Sequence, residues 1–173
     1  MEVLLEIIKF GLPAILMLIL TYLMLSNFMD NEERRRLYFL KKETQKSALP
    51  IRMQAYERVA LFLERISPNS LLVRVPSKTL NVKEYQTLLL KTIRDEFEYN
   101  LSQQIYISEE TWQLVVTAKS ATVSIINKVA NDMDPRATGM ELGKRILEHA
   151  MSLNTFPTKS ALHYLKEEVT REF

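Results

Sequence analysis

Twenty consecutive residues near the N-terminus, Phe10 to Met29, carry no charge, whereas the remaining apolar residues recur with the period of amphipathic helices. The uncharged run reads FGLPAILMLILTYLMLSNFM, and ten of its residues are Leu, Ile or Phe. As a helix it would be roughly 30 Å long, the thickness of a bilayer's hydrocarbon core. The pattern therefore predicts a transmembrane helix over 10–29. Pro13 falls in its first turn, where a missing N–H costs least.

After the run the period changes. Residues 31–48 are charged and are expected to be helical. Pro50 suits the first turn of a following helix, in which Ala55, Val59, Phe62 and Ile66 form one stripe. Ser67-Pro68-Asn69-Ser70 breaks it, and Leu71 to Val75 reads as either an extended segment or a helical turn. Asn81 and Glu84 have capping-box spacing, so a helix should begin there and run to about Ser102. Its expected stripe is Tyr85, Leu88, Leu89, Thr92, Phe97 and Leu101.

Ser108 should cap a helix over Glu109–Asn131. Trp112, Val115, Val116, Val123, Ile126 and Val129 recur along it, and Lys119 is the single charge between Thr111 and Asn127. A helix with so little charge around its circumference is usually buried on several sides, which predicts the central helix of a bundle. Thr138 and Glu141 repeat the capping-box spacing ahead of a helix with Leu142, Ile146, Leu147 and Ala150 inward. Pro157 should start the last helix, with Leu162, Leu165 and Val169 in register. No long alternation suggests a sheet. The expected fold is all-α: an N-terminal transmembrane helix followed by a cytoplasmic helical bundle. The expected division is a short extracytoplasmic tail over 1–9, the span over 10–29, a basic juxtamembrane helix or linker over 30–49, and the bundle over 50–173.

Charge supplies an orientation. One Lys or Arg precedes the run, Lys9, and six lie between Asp30 and Lys46. The positive-inside bias then places the N-terminus outside and the rest in the cytoplasm, a single-pass protein of the bacterial inner membrane. Arg34, Arg35, Arg36, Lys41 and Lys42 become candidates for lipid-headgroup contact. The whole chain is +2. Residues 47–173 are nearly neutral, which speaks against a nucleic-acid partner. Cysteine is absent, so disulfides and thiolate metal sites are excluded.

Candidate chemistry is sparse. His149 and His163 have no partner at metal-ligand spacing, and the Gly139 and Gly143 pair lacks the Lys and preceding strand of a phosphate loop. The run Asp95-Glu96-Phe97-Glu98 points its side chains in different directions on a helix. No catalytic residue, metal or cofactor is expected. Lys119 is the residue singled out, as a candidate buried ion pair with Glu96, Glu98 or Glu148.

The stretches QAYERVALFLERISPNSLLVRV (54–75) and IRDEFEYNLSQQIYISEETWQLVVTAKSATVSIIN (93–127) resemble an uncharacterised family of hypothetical membrane proteins from Bacteroidota. The segments ERISPNSL and EFEYNLSQQIYIS carry the likeness, which extends over nearly the whole chain. The resemblance implies one N-terminal span, an inner-membrane location and a helical domain, and it implies no activity. Two function classes follow. The first is a non-enzymatic, membrane-anchored interaction or scaffold protein, whose partners are the lipid bilayer and another protein or further copies of itself. The alternative is an enzyme or small-ligand binder with its site in the bundle near Lys119.

Overall fold

A computed structural model describes residues 2–77 and 79–172, with side chains for 11, 13, 15–43, 48–77 and 79–171. It is all-helical: α1 (Glu2–Arg65), α2 (Pro68–Arg74), α3 (Val82–Asn100), a short 3-10 helix (Leu101–Ile105), α4 (Glu109–Asn131), α5 (Gly139–Ser152) and α6 (Pro157–Glu172). Among the described residues the one β-type pairing is an isolated antiparallel bridge between Asn81 and Thr138. The chain divides into two compact units, 1–50 and 51–173.

Helix α1 runs through both prolines of its sequence, Pro13 and Pro50. The helix start anticipated at Pro50 is therefore not an element boundary, although the division between units falls beside it. A proline inside a helix removes one backbone hydrogen bond and crowds the preceding turn, which costs about 3 kcal/mol without forbidding the helix.

The transmembrane expectation needs correction. Among the described residues no helix is long and apolar enough to cross a membrane. Asp30, Glu32, Glu33 and Arg34 follow the apolar run in the same helix. The side chains of Phe10, Leu12 and Ala14, which lengthen the run in the sequence, and those of the tail 1–9 lie outside the described ones. The single-pass inner-membrane placement and its orientation are not retained.

The unit 51–173 is organised around α4, which packs against α3, α5 and α6. Its buried residues Trp112, Val115, Ala118, Thr122, Ile126 and Val129 keep helical spacing. Residues Ala55, Val59 and Phe62 of α1, and Ile66 just after it, are fully buried in the same core, with Tyr85, Leu89 and Ile93 of α3 and Leu142 and Ile146 of α5. On α3 the buried stripe runs through Val82, Tyr85, Leu89 and Ile93, while Leu88 and Leu101 are exposed. The segment 71–75 is mostly helical, because Pro68 opens α2 one residue after the Ser67 turn.

Two helix starts lie side by side. Asn81 and Glu84 form a complete capping box on α3, and Thr138 and Glu141 form one on α5. The Gly139 N–H donates to the Leu80 carbonyl at 2.8 Å, and the Val82 N–H donates to the Ala137 carbonyl at 3.3 Å. A Cβ at Gly139 would sit 2.9 Å from the Tyr85 Cβ and 3.1 Å from the Leu80 oxygen. Glycine is needed at this position to let the two backbones approach.

Candidate functional site

The densest polar constellation in 51–173 centres on Glu168, a carboxylate only 9 % exposed. The stripe Thr158, Ala161, Leu165 and Glu168 is the buried face of α6, so helical spacing delivers Glu168 into the core. Its Oε1 accepts from the Tyr56 hydroxyl at 2.7 Å and from the Ser108 N–H at 2.9 Å. Its Oε2 accepts from the Ser108 hydroxyl at 2.6 Å, and the Thr111 side chain joins them. Ser108 is the cap of α4 and also accepts from the Thr111 N–H at 3.2 Å. The Arg52 Nη2 donates to the Tyr56 hydroxyl at 3.2 Å.

Electrostatics follow from this geometry. Burial pushes the Glu168 carboxyl upward, but the donors Ser108, Thr111 and Tyr56 outweigh it and hold the group below the usual carboxylate range. The start of α4 adds its positive dipole end. The Tyr56 phenol is pushed up to about 12, by burial first and then by its bond to Glu168, with Arg52 opposing. Tyr56 lies on α1, Thr111 on α4 and Ser108 at the α4 cap, so the cluster ties α6 to both helices.

A second polar cluster lies between α1, α2 and α3. Glu96 Oε1 meets Arg65 Nη2 at 2.6 Å and Arg74 Nη1 at 3.0 Å, and Arg74 Nη2 donates to the Arg65 carbonyl at 3.2 Å. Arg58 Nη2 donates to the Tyr99 hydroxyl at 3.1 Å. Beside them runs a series of rings: Phe97 stacks on Trp112 with centroids 5.7 Å apart and tilts against Phe62 at 5.8 Å.

Lys119 belongs to that series. Its Nζ stands 3.9 Å from the centroid of the Phe97 ring, a cation–π contact made at a half-buried position. Among the described residues it forms no ion pair. Of its anticipated partners, Glu96 is taken by Arg65 and Arg74 and Glu148 is near Lys144 at 3.9 Å, while Glu98 is exposed. The face of Phe97 takes the place of the carboxylate that the sequence suggested.

Arg34, Arg35, Arg36, Lys41 and Lys42 are all exposed on α1, and the Arg35 guanidinium stands 5.7 Å from the Phe39 ring centroid. With no described span beside them, the headgroup assignment loses the anchor on which it rested. His163 pairs with Glu167 at 3.3 Å on the exposed face of α6. Tyr56, Ser108 and Glu168 do not stand out as a group in the sequence. The available signal is a glutamate three residues after Leu165, on the apolar face of α6. A cavity of about 490 Å³ lies elsewhere, where the end of α1 and the start of α2 meet the α5–α6 loop, and Lys119 does not line it.

Comparison with curated proteins gives no match. Comparison with solved structures gives none. The resemblance seen in 64–71 and 96–108 is met at the level of an uncharacterised family. Residues 2–172 match its model, so the chain belongs to a family of unknown function (DUF7935).

Proposed function

We propose that this is a non-enzymatic helical interaction protein, in which α1 around residues 15–29 engages a protein partner and 51–173 is the folded bundle. The observation that supports this reading is exposure. Every Leu, Ile, Met, Phe and Tyr from Ile15 to Met29 is more than half exposed. Such a surface is unfavourable in water until something covers it. Successive helical residues turn by about 100°, so the apolar surface surrounds the helix and takes more than one neighbouring helix to cover. Further copies of this chain or a multi-helix protein would meet that need. The alternative of a ligand site near Lys119 has less support, because its ammonium is engaged by Phe97 and the residue does not line the 490 Å³ cavity.

The test is a photo-crosslinking amino acid placed at Leu23 in the full chain, in cells, with Lys83 on the exposed side of α3 as the control position. Discrete protein adducts of defined mass are expected at Leu23 and not at Lys83. No protein adduct at Leu23, or the same adducts at both positions, would overturn the reading.

A further inference from the structure

The cavity of about 490 Å³ has the size of a small-molecule site. Leu63, Phe156 and Leu162 give it apolar walls. Thr158 also lines it, and this residue is only 2 % exposed. Its hydroxyl makes no hydrogen bond among the described residues. The hydroxyl has no protein acceptor among them, and the cavity that Thr158 lines is the space from which a partner can come.

The start of α6 supplies an independent preference for negative charge. Pro157 has no N–H, and the N–H groups of Lys159 and Ser160 turn back to the Phe156 carbonyl at 2.9 and 3.3 Å. The first turn holds no acidic side chain, so the positive end of the helix dipole is uncompensated there. Lys159 lines the cavity as well. Glu64 is a further lining residue, and its carboxylate leaves the α6 end as the favourable place for an anion.

We propose that this cavity binds a small monocarboxylate with an apolar body. The carboxylate is received by the Thr158 hydroxyl and the Lys159 ammonium, at the positive end of the α6 dipole. The apolar body lies against Leu63, Phe156 and Leu162. This site is independent of the partner-binding reading of residues 15–29.

Sodium hexanoate is a suitable probe, with hexanol as its uncharged counterpart, titrated into the full chain while amide resonances are followed. Saturable shifts are expected on 63–70 and 150–162. Hexanol should bind about tenfold more weakly, the scale of one charge-assisted hydrogen bond. Thr158→Val and Lys159→Met should each weaken hexanoate binding about fivefold or more with melting unchanged, while Thr158→Ser keeps it. Hexanol binding as well as hexanoate, shifts centred on 15–29, or Thr158→Val and Lys159→Met both binding as the parent chain would each overturn the proposal.

Discussion

The Glu168 carboxylate is buried, yet it ionises more readily than an ordinary glutamate because Ser108, Thr111 and Tyr56 all donate to it. Replacing it with Gln removes the charge and turns an amide NH2 toward groups that donate in the parent chain. Glu168→Gln should destabilise the protein by about 1–3 kcal/mol at neutral pH, read by chemical denaturation. Because the folded pKa is depressed, this stabilisation is present above the unfolded value near about 4.3 and is lost as pH falls through the folded pKa. The difference between parent and Glu168→Gln should therefore shrink on acidification, and a constant difference down to about pH 2 would contradict the assignment. Tyr56 acts in the opposite range: its neutral phenol is favoured, so its contribution is held below pH 10 and lost as pH rises through about 12. Gly139 makes a purely steric prediction. Gly139→Ala forces a Cβ to 2.9 Å from that of Tyr85 and should cost about 1–3 kcal/mol in thermal unfolding. The capping residues are legible in the sequence because a cap is a local spacing rule, as at Asn81 and Glu84. The Glu168 cluster is not, since Ser108 and Tyr56 lie 60 and 112 residues from Glu168 along the chain and only packing brings them together.

At the scale of elements, α4 carries the bundle. Its limits follow from the Ser108 cap and from one apolar stripe, and both are legible in the sequence. The α1 helix is less legible. Pro50 on its own suggests a new helix start, but α1 passes through it into a segment whose Ala55, Val59 and Phe62 are held by the core. Tertiary burial there outweighs a local penalty of about 3 kcal/mol. The amides of α4 should exchange among the slowest in the protein, since opening them requires separating α3, α5 and α6. Ile126→Ala should cost about 2–5 kcal/mol by leaving a cavity in that core. Lys119→Met should cost no more than about 1 kcal/mol, because it gives up a cation–π contact at a half-buried position and strands no carboxylate. A loss of about 3–5 kcal/mol would mean that a buried ion pair had been broken.

At the scale of the whole molecule, the two units have different surfaces. The 51–173 unit buries its apolar stripes, and 1–50 displays its apolar residues at Ile15 to Met29. Hydropathy along the sequence points to a bilayer span there, because it measures how apolar a segment is and not what covers it. Among the described residues no helix is long and apolar enough to cross a membrane. On the proposed reading, a protein partner covers that apolar surface. The most direct measurement compares crosslinking from Leu23 in the parent chain with that in Leu18→Glu/Leu25→Glu, two changes on the same helix one heptad apart. The account predicts that the discrete adducts disappear while the slow exchange of α4 is unchanged, because the substitutions touch only the surface of 1–50. Adducts that persist undiminished in the double variant would contradict it.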